Sequence, residues 1–335
     1  MATRRARPAV LRPAAVFAAS LAALIAAAAV VVEGLSTLRA APTATRLDVP
    51  DERDYYLSSN VGGQIDHHML FFGLDDEATA HLRAADVLFV GNSRLMFALR
   101  PSVMRPYFAR AALTYYALGF GFAEADRFPL AIIRRFDLRP KLVVVNTDGF
   151  FGGGLSSWAE VVNRDTAFGA SKLLWETNTA HRARAVLQVV APHWASLLGR
   201  PGLSDTRTFD TYRSRVDGTW QVVPWPPDGR PFIAPPTDGP LPVRGEFAAA
   251  RAFVDDLTSR GARIVLTRVP TPKLSPGGAP SAFADELGVP LVVAAPPALT
   301  TFDDSHLGEA SAHDWSRAFA AALTPYLPAP AASRR

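Results

Sequence analysis

Short aliphatic runs alternate with turns and amphipathic stretches over much of this chain. Ala85-Asp86-Val87-Leu88-Phe89-Val90 ends at Gly91, and Leu95, Met96, Leu99 and Val103 follow at near-helical spacing, which predicts a strand, a tight turn and a helix. The pattern repeats: Ala111 to Leu118 reads as a strand, Gly119-Phe120-Gly121 as a turn, and Ala123 to Phe136 as a helix. Lys141 to Asn146, aliphatic between its ends, predicts a third strand. Such continuous Val and Leu runs suit a parallel sheet covered on both faces. From about 151 to 240 the rhythm is lost. This stretch carries five of the six Trp residues, many Pro residues and one predicted helix near Ala180 to Leu198, and it reads as an insertion or cap that roofs the strand ends near Ser93. The rhythm returns with a helix over Glu246 to Ser259, strands at Arg263 to Thr267 and Pro290 to Val293, and a last helix from Glu309 to Leu323. Strands alternating with helices on both flanks of the insertion predict a three-layer α/β/α domain with a mainly parallel sheet.

The N-terminus adds a different element. Pro13 to Val32 contains no charge and is about the roughly 20 residues that span a bilayer as a helix. Arg4, Arg5, Arg7 and Arg12 precede it and Glu33 follows, the asymmetry of a signal anchor with a cytoplasmic N-terminus and an extracytoplasmic, periplasmic domain. A cleaved signal peptide ending near Leu38-Arg39-Ala40 is the alternative. The expected organisation is an Arg-rich start and transmembrane anchor (1–34), a tether and lead-in segment (35–80), the first part of the core (81–150), the insertion or cap (151–240), the second part of the core (241–327) and a disordered tail (328–335). The net charge of +4 loses its apparent meaning once located, because those four arginines account for all of it, 4 − 4 = 0. A nucleic-acid groove needs basic residues gathered on the folded body, so nucleic acid is excluded as a partner. With no cysteine, neither disulfides nor thiolate metal sites are available.

In an open parallel sheet the ligand sits beyond the carboxyl ends of the strands. Gly91-Asn92-Ser93-Arg94 is a turn of that kind: Ser93 stands at a helix start, where its own amide can stabilise a developing oxyanion, although Ser there can also simply cap the helix. Asp303-Asp304-Ser305-His306 precedes the last helix. A His becomes a useful base when a carboxylate holds one ring nitrogen's proton, and Asp303 is spaced to do this for His306, with Asp304 close enough to compete. The order Ser, Asp, His, with Gly91-Asn92-Ser93 and Asp303-Asp304-Ser305-His306 as its two ends, resembles the SGNH (GDSL-like) hydrolase superfamily, in particular its membrane-anchored cell-envelope esterase and O-acyltransferase branch. The resemblance covers roughly residues 84 to 150 and 245 to 325. It implies a flavodoxin-like fold and a serine esterase or O-acyltransferase with Ser93, Asp303 and His306 as the triad. Tyr116-Ala117-Leu118-Gly119-Phe120-Gly121 looks like the block that supplies a glycine amide to the oxyanion hole, Gly121 first and Gly119 second. The third block departs from the family: Val145-Asn146-Thr147-Asp148-Gly149 places Asp148 where the family has its Asn donor, so Asn146 serves as a donor only if the turn is shifted by two residues.

The implied substrate is an acyl ester, with O-acetyl groups of a cell-envelope polysaccharide as one class, an integral-membrane acyl donor protein as partner, and no cofactor. The rival reading is a non-catalytic, membrane-tethered glycan-binding or scaffold protein on the same fold. Asp66-His67-His68 can in principle bind metal or supply a base; with Asp303 and His306 intact, it is expected to be a surface loop and no metal site is assigned. Trp220 and Trp225 are candidates for stacking on sugars, or for ordinary packing.

Overall fold

The fold comes from a computed structural model, in which residues 20–22, 25, 50–60, 63–121, 124–180, 209–233, 240–272, 279–294 and 296–329 are described. The chain divides into two units, Met1–Leu47 with Glu176–Thr206, and Asp48–Trp175 with Arg207–Arg335. Of the first unit only residues 20–22, 25 and 176–180 are described, all helical. Most of the expected membrane span, nearly all of the helix expected near Ala180 to Leu198 and most of the C-terminal tail lie outside the described residues. Among the described residues no helix is long and apolar enough to cross a membrane.

The second unit is a mixed α/β fold around a five-stranded sheet. Its strands are β3 (Val87–Asn92), β4 (Tyr115–Phe120), β5 (Leu142–Asn146), β9 (Arg263–Thr267) and β10 (Leu291–Val292), in the order β10-β9-β5-β3-β4. Every pairing in it is parallel. The aliphatic runs are buried on both faces, and alternate residues divide between two cores. Leu88, Val90, Val143 and Val145 face one, covered by α5 (Arg127–Arg135), α7 (Arg244–Ser259) and α8 (Pro280–Leu287). Val87, Phe89, Leu142 and Val144 face the other, covered by α3 (Ser93–Ala98), α4 (Pro101–Arg110) and α9 (Glu309–Leu323). The second strand begins at Tyr115 and not at Ala111, because Ala112 turns through positive φ (52°) and Asp86 binds the amide and hydroxyl of Thr114.

A second, antiparallel sheet has the order β2-β1-β6-β7, from β1 (Tyr55–Asn60), β2 (Gly63–Gln64), β6 (Asp210–Ser214) and β7 (Trp220–Val223). A short pair joins β8 (Pro231–Phe232) to β11 (Leu299–Thr300). Residues 55–60 and 63–80, within the segment expected as tether and lead-in, are therefore structured, with α1 (Asp66–Phe72) and α2 (Asp76–Ala84) following β1 and β2. The β6–β7 turn closes the β4 edge of the parallel sheet: the Ala117 amide donates to the Asp217 carbonyl at 2.8 Å. Arg213, fully buried, donates to the carbonyls of Ala117 (2.6 Å), Gly218 (3.2 Å) and Gly119. The β6–β7 part of the insertion thus covers the β4 edge, because unpaired strand groups at that edge need partners.

Arg213 is held by Asp66, through Nε at 3.0 Å and Nη2 at 2.9 Å, and Ser58 and the Trp220 indole also donate to that carboxylate. The expected surface loop at Asp66-His67-His68 is therefore corrected to a buried helical segment, exposed by 0%, 0% and 1%. Each of the three lies beside a group of complementary charge: Asp66 meets Arg213, His67 Nε2 lies 3.0 Å from Glu124, and His68 Nε2 lies 3.2 Å from Asp165. No group of ligands able to hold a metal ion occurs among the described residues.

Candidate active site

The carboxyl end of β3 runs directly into α3, and Asn92 caps that helix, its side-chain carbonyl accepting from the Arg94 amide at 3.1 Å. Capping by Asn92 leaves the Ser93 hydroxyl free for other work. Gly91 is required by close approach: a Cβ there would lie 2.9 Å from Asn146 Cβ and 3.0 Å from Leu95 Cδ2. Gly119, on the neighbouring strand, leaves room for Met96 of α3, whose sulfur would sit 2.6 Å from an added Cβ. The two glycines let the Ser93 turn lie close against both flanking strands.

Ser93 Oγ donates to His306 Nε2 at 2.8 Å, and His306 Nδ1 donates to Asp303 Oδ2 at 2.7 Å. The three groups, separated by up to 213 positions, form one continuous relay. Asp303 also accepts the amides of Ser305 (3.0 Å) and His306 (2.7 Å) through its other oxygen. Asp304, between them, takes the left-handed conformation at φ 61°, a region Asp tolerates better than most residues, and this turns the chain back toward Asp303. A bridge between Thr301 and Leu307, and the Gly308 amide on the Thr300 carbonyl at 2.9 Å, close the base of the loop. Of the two competing carboxylates, it is Asp303 that meets the ring. Burial opposes its ionisation, but the hydrogen bonds from His306 and the two amides outweigh this and hold its carboxyl below the usual range.

Gly121 is buried and follows β4 directly. The register pairs Asn92 with Phe120, so Ser93 and Gly121 each stand one residue beyond the same rung. Asn146, at the end of β5, is fully buried. Its amide donates to Asn92 Oδ1 at 3.3 Å and its carbonyl accepts from the Val269 amide at 3.2 Å, which braces the Asn92 cap from below. Asp148 is 3% exposed and ion-paired with Arg94, while its backbone carbonyl accepts from Asn92 Nδ2 at 2.7 Å. Arg94 also donates through Nε to Ser305 Oγ at 3.0 Å. Sequence reasoning missed Arg94; its partners lie 54 and 211 positions away, and no local pattern marks it.

Aromatic rings surround His306. Phe302 stacks on it at 5.4 Å and 14°, and Phe97, one turn below Ser93, lies at 4.6 Å. Phe209, Trp220 and Trp225 of the insertion pack edge-on against Phe97 at 5.6–5.9 Å. Trp220 is 2% exposed and donates to Asp66, so it is a packing residue. Trp225 is partly exposed beneath the Arg100 guanidinium, 4.4 Å from the ring centre.

No protein-family model matches the chain, and no curated protein matches it. Among solved structures it is similar to a GDSL-like lipase from Bacteroides thetaiotaomicron, at 13% identity and a TM-score of 0.36, over 77% of this chain and 100% of that one.

Proposed function

We propose that the protein is a serine esterase or O-acyltransferase acting on an acyl ester through an acyl-enzyme on Ser93. The observation that carries this reading is the Ser93–His306–Asp303 relay, with both hydrogen bonds at 2.7–2.8 Å, at the carboxyl end of a parallel strand. Asp303 keeps the proton of His306 on Nδ1, so that Nε2 is free to take the Ser93 proton. As Oγ attacks the ester carbonyl, that proton passes to Nε2, and the C=O π electrons move onto oxygen. The amides of Ser93 and Gly121 receive the oxyanion, and Asn146 acts through Asn92 to fix the turn that presents the first of them. Collapse of the intermediate breaks the bond to the leaving oxygen, which departs with the proton from Nε2. Water, or a sugar hydroxyl, then repeats the sequence in reverse and frees Ser93.

The arginines before residue 13 and the uncharged stretch from Pro13 to Val32 support membrane anchoring with the folded unit outside the cytoplasm, which makes O-acetyl groups of a cell-envelope glycan the substrate class we favour. An integral-membrane donor protein is the partner such a transferase requires. A fluorophosphonate probe tests the nucleophile directly: Oγ displaces fluoride, and intact-mass and peptide analysis locates the adduct. Modification of Ser93 in the wild type, abolished in His306→Ala, is the expected result. Labelling elsewhere, or labelling that survives Ser93→Ala, contradicts the assignment.

A further inference from the structure

We propose that Arg94 is a positioning residue of this site, which cancels the charge of Asp148 on the segment bonded to Asn92 and ties the His306 loop to the nucleophile turn. This inference rests on the Ser93 reading above. Arg94 follows the nucleophile in sequence, and among the described contacts its guanidinium meets two side chains: Nη1 pairs with the Asp148 carboxylate and Nε donates to Ser305 Oγ at 3.0 Å. Asp148 is nearly buried, at 3% exposure, and its backbone carbonyl is joined to Asn92, the residue before Ser93. A carboxylate shielded from water on the segment bonded to Asn92, if left uncompensated, acts on negative charge growing at the neighbouring nucleophile turn with little solvent to screen it. Arg94 supplies the compensating charge from within the same turn. Surface ion pairs are weak because both ends are solvated; this one has its acid end inside the protein.

The second contact bears on His306. Ser305 sits between Asp303 and His306 in a loop whose tip is exposed, and the left-handed Asp304 precedes it. The bond from Arg94 to Ser305 joins this loop to the helix that begins at Ser93, so the distance between Oγ and Nε2 is set by a short closed circuit: Ser93, Arg94, Ser305, His306. Neither of these described contacts of Arg94 is to a reacting atom. The effect of Arg94 is to keep Nε2 aligned and the buried Asp148 charge compensated, which is a contribution to kcat and not to substrate binding.

The test uses the full-length protein, p-nitrophenyl acetate and a set of variants checked for folding by circular dichroism: Arg94→Ala, Arg94→Lys, Asp148→Asn with Arg94→Ala, and Ser93→Ala. Arg94→Ala strands the Asp148 charge and frees the loop, so kcat should fall about 100-fold with KM within about twofold, the scale of a misplaced catalytic group. Adding Asp148→Asn removes the stranded charge and should return about tenfold of that loss. A merely structural pair would behave oppositely, the double variant being no better than the single one. If Arg94→Ala does not fold, Arg94→Lys decides: it keeps the charge but lacks the fork that reaches Ser305, so kcat should drop about tenfold at constant KM. Wild-type kcat in the folded Arg94 variants, or a double variant no more active than Arg94→Ala, overturns the proposal. Ser93→Ala separates this failure from a failure of the site itself. Loss of turnover there with intact Arg94 variants removes only the role of Arg94, whereas turnover unaffected by Ser93→Ala removes both.

Discussion

Arg213→Ala is the substitution that most severely tests the account of how the site's scaffold is held. Arg213 has no exposed surface, and neither has its partner Asp66. Truncation removes two hydrogen bonds to Asp66, at 3.0 and 2.9 Å, and those to the carbonyls of Ala117, Gly218 and Gly119. Asp66 is left with Ser58 and the Trp220 indole at 3.2 Å. Breaking a buried ion pair from one side costs about 3–5 kcal/mol. Water entering the space left by the side chain meets part of the carbonyls' demand, so the expected loss is about 4–6 kcal/mol. That is a large share of the roughly 5–15 kcal/mol that stabilises an ordinary domain. Urea unfolding followed by tryptophan fluorescence measures it. Replacing both partners with apolar residues, Asp66→Leu with Arg213→Met, should cost less than Arg213→Ala alone, because no charge is then stranded. A loss below about 1 kcal/mol in Arg213→Ala, in the range of an exposed ion pair, would refute the claim that this network closes the β4 edge.

Other substitutions probe separate steps. Gly218 has φ 68°, and a Cβ there would lie 2.5 Å from the Tyr116 ring and 2.6 Å from the Ala117 carbonyl, so Gly218→Ala should cost about 2 kcal/mol or more by thermal or urea unfolding. Burial lowers the pKa of His68, and its neighbour His67 adds to this against the pull of Asp165. The unfolded chain therefore binds a proton that the folded one resists, and stability should fall as pH is lowered below the ordinary histidine value of about 6.5. In His68→Leu that part of the pH dependence should vanish from the unfolding midpoints; an unchanged pH profile would contradict the burial argument. Phe97→Ala removes the ring that contacts His306, Phe302, Phe209, Trp220 and Trp225, and should cost about 3–5 kcal/mol in unfolding experiments.

The parallel sheet was legible in the sequence because its strands are buried on both faces, so Val87 to Val90 and Leu142 to Val145 read as unbroken apolar runs. The segments holding Ser93, Asp303 and His306 were legible because each stands where a strand gives way to a helix. The antiparallel sheet was not. Its buried positions include Ser58, Thr211, Arg213 and Ser214, so the usual alternation of apolar and polar residues is replaced by polar groups whose partners, among them Asp66, Ser59 and Arg105, lie elsewhere in the chain. Asp66-His67-His68 looked like a surface loop for the same reason: its partners, Arg213, Glu124 and Asp165, are remote in sequence. The role of Asp148 was obscure from its own segment, since the charge that balances it sits 54 residues earlier. Local patterns report burial of apolar surface; they carry no record of which distant charge meets which.

Hydrolysis of p-nitrophenyl acetate by the purified full-length protein, compared with Ser93→Ala and His306→Ala, tests the central claim most directly. The account predicts measurable turnover in the wild type and loss of about 1,000-fold or more in each variant, with circular dichroism unchanged. Turnover that survives both substitutions would contradict it.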